Sequence, residues 1–300
     1  MSVEQLPLFS LTTESSLSAV IDSFHQHMIR KGFTDNTISA FLNDLRIFTR
    51  YWDDDPTLSQ ISTNKLQDFL TYLRHDRGVP CSPKSYARRM TTLKVFFGWL
   101  AEEGIIPRDP AAPLIHQRAS TPLPQFLYEG QVEKLLQATV ELMHAEKPDA
   151  RPHLLVTLLL QTGIKKGECM GIQLNDIDTS QPKAPVLYIR YSNPKMKHKE
   201  RKLRLSADFV PIMRQYLAEY QPQKQLFKCT ARNLEYVLDN AASLAGLENI
   251  SFEILRWTCA VRDYKAKMPS DKQRQKLGLS RITWQEEALE KLKKLTAPPL

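Results

Sequence analysis

The sequence predicts a mainly α protein, with a helical N-terminal domain followed by a mostly helical second domain that carries a small antiparallel β element. Three observations predict it. Apolar residues recur at helical spacing through residues 14–115. Prolines and small polar residues break the pattern at about residues 107–125. Beyond the break, helical patterns resume and are interrupted once, by two short β-type runs around a lysine-rich turn.

The N-terminal helices come first. In "TDNTISAFLNDLRIFTRYW" the side chains of Ile38, Phe41, Leu42, Leu45 and Phe48 share one helical face, with Asn36 or Thr37 as the N-cap. "TNKLQDFLTYLRHD" repeats the pattern through Leu66, Phe69, Leu70 and Leu73. A further helix, "SPKSYARRMTTLKVFFGWLAEEG", opens at Ser82-Pro83 and stops at Gly104, with Met90, Leu93, Phe96, Phe97 and Leu100 on its apolar side. Lys84, Arg88 and Arg89 stand near its start. The expected layout is a helical domain at 14–115, a linker at 107–125 and a second domain at 126–300.

In the second domain, "EGQVEKLLQATVELMH" and "RPHLLVTLLLQTG" read as helices. "APVLYIRYSN" and "RKLRLS" read as strands joined by "NPKMKHKE". Helical patterns return at "DFVPIMRQYLAEY", "ARNLEYVLDNAASLAG", "SFEILRWTCAV" and "WQEEALEKLKKL".

Length and composition fit this layout. Three hundred residues suit two domains, each able to bury its own core. No apolar run reaches the roughly 18–20 residues that cross a bilayer, and the first residues lack a signal-peptide pattern. The cysteines Cys81, Cys169, Cys229 and Cys259 are single and have no histidine spacing, which argues against a disulfide framework or a metal site and for the cytoplasm. The net charge of +8 lies entirely in residues 119–300, which hold 28 basic and 20 acidic residues, while residues 1–118 hold 13 of each. A basic second domain suits either a polyanion such as nucleic acid or a merely solvated basic surface.

Two segments carry a resemblance. "SPKSYARRMTTLKVFFGWLAEEGIIPRDPAAPL" is similar to the last helix and exit of the core-binding domain of tyrosine recombinases, the phage-integrase family. "LLQTGIKKGECMGIQLNDID" resembles that family's T-G-x-R-x-x-E-x-x-x-L-x-x-x-D-I-D stretch, and "LGL" at 277–279 its L-G-H box. Arg256 and Leu279 are 23 residues apart, the family's spacing between its H-x-L-R-H and L-G-H boxes. The resemblance implies a SAM-like core-binding domain and a catalytic-type domain that close on duplex DNA as a clamp. In such enzymes a tyrosine attacks the scissile phosphodiester, two arginines fork onto its oxygens, and a hairpin lysine protonates the leaving oxygen.

Position by position, this chain departs from that pattern. The first arginine position is Lys165, which keeps the charge and loses the fork. Glu168 is retained. The hairpin lysine falls on Met196, flanked by Lys195 and Lys197. The histidine of the H-x-L-R-H box is Glu253, its arginine is kept as Arg256, and its last position is Trp257. The L-G-H histidine is Leu279, and the nucleophile position, nine residues on, is Ala288. The last tyrosine in the chain is Tyr264.

The resemblance makes Lys84, Arg88, Arg89, Lys165, Lys195, Lys197, Lys199, Arg201 and Arg256 the candidate DNA contacts. Competing readings stand beside them. Arg256 suits a phosphate ligand or a buried arginine paired with Glu253 at i, i+3. The basic turn suits a DNA contact or a solvated hairpin tip, and Lys265, Lys267, Lys272, Arg274 and Lys276 read as surface. The departures lead to the expectation of a catalytically inactive, recombinase-like protein, not an enzyme, that binds double-stranded DNA in an architectural or regulatory role. An alternative is an inactive subunit beside an active recombinase, or self-association, with "EEALEKLKKLTAPPL" docking on a neighbour. A third is a recombinase with a divergent nucleophile such as Ser280 or Thr283. No cofactor and no metal are expected.

Overall fold

The computed structural model describes residues 11–115, 122–279 and 282–297, with the side chains of 282–284 left aside. The chain divides into two compact units, one ending at Thr121 and the other starting at Pro122.

Four helices build the first unit: α1 (Leu17–Arg30), α2 (Asp35–Thr49), α3 (Thr63–His75) and α4 (Pro83–Glu102). Three open on a hydroxyl that satisfies an N–H with no partner inside the helix. Thr34 Oγ1 accepts from Thr37 N–H, Ser62 Oγ from Lys65 N–H and Ser82 Oγ from Ser85 N–H. The N-cap of α2 is therefore Thr34, ahead of the Asn36 or Thr37 that the sequence pattern favoured, because Asp35 already has helical backbone. The expected apolar faces of α3 and α4 are buried throughout, and Phe24, Phe48, Phe69, Phe96 and Phe97 form an interlocked aromatic core. Leu42, expected in that core, is only partly buried at its edge.

The second unit carries α5 (Glu129–Met143), α6 (Arg151–Thr162), α7 (Lys166–Gly171), β1 (Ile177–Asp178), β2 (Val186–Ile189), β3 (Arg201–Arg204), α8 (Phe209–Tyr220), α9 (Ala231–Leu244), α10 (Phe252–Lys265), α11 (Ser270–Leu277) and α12 (Ile282–Thr296). Helix α6 is apolar on nearly every side, Leu154 through Leu160, and so it sits at the centre with α5, α8, α9 and α10 around it. The sheet is antiparallel in the order β1-β2-β3. The two-residue β1 and the short helices α7 and α11 were not expected, being too short to leave a periodic signature. On β3 the pleat sends Leu203 inward and leaves Lys202 and Arg204 exposed, with Lys202 opposite Tyr188 and Arg204 opposite Val186. Helix α12 packs on α10 and α11 of its own unit, burying Leu292 against Ala260, Val261 and Leu277. Of the apolar stripe expected to dock on a neighbour, Leu292 is buried within the chain, while Leu289 and Leu295 are partly buried.

Among the described residues, no helix is long and apolar enough to cross a membrane, and no group of His, Cys, Asp and Glu is arranged to hold a metal ion.

Candidate nucleic-acid interface

The site is built where α6 ends. Gly163 caps α6 in the left-handed region, at φ +60°. A Cβ there would meet Leu277 Cδ2 at 3.0 Å and Cys259 Sγ at 3.3 Å, so both conformation and space call for glycine. The next turn presents Lys165, and Glu168 reaches back to accept its backbone N–H at 2.9 Å.

Glu168 is the charge hub. Its side chain is 2% exposed, and it accepts both arms of the Arg201 guanidinium, at 3.0 and 2.8 Å, together with the Tyr191 hydroxyl. Burial alone would raise this carboxyl's pKa, but the Arg201 fork, the Tyr191 hydroxyl and the Lys165 amide hold it down to about 2. Arg201 also donates Nε–H to Lys276 O at 2.9 Å and Nη1–H to Lys199 O at 3.2 Å. Gly278, at φ +61°, lies against the same guanidinium; a Cβ there would sit 2.7 Å from its Nη1.

Arg256 comes from α10, which opens on Ser251 Oγ accepting from Ile254 N–H. Its guanidinium is buried and donates to Gly163 O and to Leu277 O, the latter at 2.7 Å. It does not pair with Glu253. That carboxylate accepts from the Trp257 indole at 2.8 Å, one i, i+4 step along the exposed side of the helix. A carboxylate that the family pattern would set against a phosphate is thereby turned to the indole.

Lys165 is half-buried, and its pKa is lowered, by burial first and then by the nearby charges of Arg256, Lys199 and Arg201, against the opposing pull of Glu168. Glu168 is committed to Arg201. Among the described residues, neither the Lys165 ammonium nor the Arg256 guanidinium has a carboxylate in ion-pair contact. Desolvated cations brought together without a matching anion form a seat for one.

The other candidates separate clearly. On the hairpin, Lys199 is the lysine that bears on Lys165, with its Nζ 3.6 Å from Met196 Sδ, while Lys195 and Lys197 are exposed around a 3₁₀ turn, Pro194–Lys199. Arg201, expected at the DNA, is 8% exposed and engaged internally. In the first unit, Lys84 is exposed. Arg88 forks onto the buried Asp44 at 2.9 and 2.7 Å, leaving much of its side chain in solvent. Arg89 turns inward, with Nε 3.5 Å from Asp44 and Nη1 2.7 Å from Cys81 Sγ, so it adds no charge to the surface. Adjacent residues on a helix point some 100° apart, and a buried carboxylate on α2 draws the inward one. Leu279 and Trp257 join the apolar seat of α12, on which Ala288 is partly buried. Ser280 and the Thr283 side chain lie outside what is described.

Beside Arg201, β3 and α11 enclose an open cleft of about 760 Å³ lined by Lys202, Arg204, Lys272, Arg274 and Lys276. Arg274 and Lys276 have acidic partners, Asp271 and Asp263. Lys202, Arg204 and Lys272 are exposed and have no ion-paired carboxylate among the described residues. Sequence reasoning missed Tyr191, the carbonyls of Gly163 and Leu277, and the inward course of Arg201. The shared parity of Arg201, Leu203 and Leu205 along the strand was the one available signal.

Comparison with known proteins adds the lineage. A family described as "Phage integrase, N-terminal SAM-like domain" matches residues 21–104, and "Phage integrase family" matches residues 125–284. "Tyrosine recombinase XerC" of Staphylococcus epidermidis is 29% identical over 246 residues, covering 77% of this chain and 78% of the relative. "Tyrosine recombinase XerD" of Listeria innocua serovar 6a is 27% identical over 209 residues, covering 69% and 67%. Among solved structures, XerH site-specific recombinase bound to a palindromic difH substrate superposes with TM-score 0.72 at 16% identity, covering 96% of each chain. A lambda integrase tetramer bound to a Holliday junction superposes with TM-score 0.70 at 18% identity, covering 95% of this chain and 81% of that one. At these identities the structures establish the shared fold. The named relatives overturn one expectation: the chain was read as not an enzyme, yet the proteins that match most of its length are named tyrosine recombinases, which are enzymes. That reading equated altered side chains with a lost activity.

Proposed function

This chain belongs to the phage integrase family, and on that premise we propose that it acts in DNA recombination by binding duplex DNA through backbone phosphates. The observation that carries the reading is the pair of desolvated cations Lys165 and Arg256, which no carboxylate in ion-pair contact matches among the described residues while Arg201 occupies Glu168. A phosphate diester supplies the missing charge, and Arg256 arrives already oriented by two carbonyls. Lys199, Lys195 and Lys197 on the hairpin and Lys84 and Arg88 on the first unit supply further backbone contacts in this reading.

Binding to a fluorescent duplex across a salt series tests it. Log affinity is expected to fall linearly with log salt, by about 0.9 per phosphate neutralised. Lys165→Met is expected to weaken binding about equally for all sequences and to take about 1 off the slope. Absence of binding at low salt would sink the proposal. A nicked duplex in the same samples reads strand cleavage: a covalent adduct that survives denaturation would assign the chain the recombinase activity of its named relatives.

A second reading, assembly on DNA with further copies or with a recombinase partner, draws support from the lambda integrases of the same fold, solved as a dimer on a core site and a tetramer on a Holliday junction. Leu292 is covered within the chain, so such contacts would not use that side chain. Sedimentation of the chain with and without duplex tests it, and a monomer in both cases would exclude self-assembly.

A further inference from the structure

We propose that Arg201 is a positioning residue for the phosphate seat, holding in one arrangement the three segments that supply it. This rests on the DNA-binding reading above and deepens it.

Each segment touches the Arg201 guanidinium separately. Toward α7, two N–H groups fork onto Glu168, whose Oε2 also holds the backbone N–H of Lys165. Toward the hairpin, Nη1 donates to the carbonyl of Lys199, and the Tyr191 hydroxyl closes onto Glu168 from the same strand connection. Toward the end of α11, Nε donates to the carbonyl of Lys276, and the next carbonyl, Leu277, orients Arg256. Lys165, Lys199 and Arg256 are thus each one or two bonds away from a single buried side chain. Without it, the turn into α7, the hairpin and the α11 end that orients Arg256 lose the one side chain that touches all three, and repulsion among Lys165, Lys199 and Arg256 favours their separation. Arg201 also cancels Glu168, which would otherwise stand as a buried anion beside the phosphate.

The geometry requires arginine. A lysine has the charge but offers no planar fork, so it cannot hold both Glu168 oxygens and the Lys276 carbonyl together. Gly278 completes the fit from the far side, since any side chain there meets the guanidinium.

A double-mutant cycle tests the idea. Duplex affinity is measured for the wild-type chain, Arg201→Lys, Lys165→Met and the double variant, with the binding-competent fraction titrated at saturating protein. Arg201→Lys is expected to lower affinity on the order of tenfold, the effect of losing an orienting partner at a preorganised site. In the Lys165→Met background that loss should be distinctly smaller, the remainder coming from Lys199 and Arg256, while the drop in melting temperature caused by Arg201→Lys persists in both. Equal affinity losses in the two backgrounds would overturn the proposal, marking Arg201 as an independent phosphate contact or a purely structural residue. If Arg201→Lys does not fold, Tyr191→Phe removes one donor to Glu168 and is expected to show the same coupling at smaller amplitude; additivity there would likewise overturn it. A wild-type chain that fails to bind the duplex at low salt defeats the DNA-binding reading, and this inference with it, an outcome distinct from additivity.

Discussion

Glu168 concentrates the chemistry of the second unit into one carboxylate. It is buried, accepts from two arms of Arg201, from Tyr191 and from the Lys165 amide, and titrates at about 2 where an ordinary glutamate titrates at 4.5. A depressed acid pKa means that folding favours the charged form. The stabilisation is therefore complete above the ordinary value and is lost as pH falls from about 4.5 toward 2; the shift corresponds to about 3 kcal/mol. Urea unfolding at a series of pH values should show this acid-side decline in the wild-type chain and a much flatter profile in Glu168→Gln. At neutral pH the same substitution is expected to cost about 3–5 kcal/mol, because it leaves Arg201 buried without its counter-charge. A Glu168→Gln chain with wild-type stability and an unchanged acid profile would show that the pair contributes nothing. In the first unit Asp44 plays a comparable part between α2 and α4, forked by Arg88 and approached by Arg89.

At the scale of elements, helix ends and one strand do the positioning. The T-G of the resemblance works because Gly163 turns left-handed, leaves room for Leu277 and Cys259, and offers its carbonyl to Arg256. The L-G glycine works because Gly278 both caps α11 and clears the Arg201 guanidinium. Gly246 makes an internal comparison: it has a similar φ of +65° and no atom within 4 Å of its notional Cβ. Gly246→Ala is expected to cost about 1 kcal/mol, the left-handed penalty alone, and Gly278→Ala distinctly more, measured by thermal or urea unfolding. Equal costs would mean that Arg201 gives way freely. Strand parity explains the rest of the hairpin. Arg201 shares its face with Leu203, so it is carried inward, while Lys202 and Arg204 remain outside and Lys202 lies over the Tyr188 ring.

The molecule as a whole divides its labour between two separate cores, one around Phe24, Phe48, Phe69, Phe96 and Phe97 of the first unit and one around α6. The surplus of positive charge belongs to the second unit. Arg201, Lys276 and Arg274 are offset by acids there, which leaves Lys202, Arg204 and Lys272, in the cleft between β3 and α11, without an ion-paired carboxylate among the described residues. If the DNA backbone passes this cleft, the triple variant Lys202→Gln, Arg204→Gln, Lys272→Gln should keep its melting temperature and lower the salt slope of duplex binding by about 0.9 for each phosphate these side chains neutralise. An unchanged slope would remove the cleft from the DNA path and leave its charge as a solubility feature.

By itself, the sequence determined the mainly helical fold, the apolar faces of α3 and α4, and the places of Lys165 and Arg256 in the chain. These follow from local periodicity, from turn chemistry and from motif spacing, all of which are read along one dimension. Tertiary structure alone decided which charges meet. Lys165, the hairpin pair Lys199 and Arg201, and Arg256 come from separate segments of the chain, and only packing commits Glu168 to Arg201, turns Glu253 to Trp257, and hides Arg89. Electrostatic roles depend on burial and on the nearest opposite charge, and both are properties of distance in three dimensions. The altered family positions therefore say which side chains changed, and the fold says which of them are buried and which opposite charge each one meets.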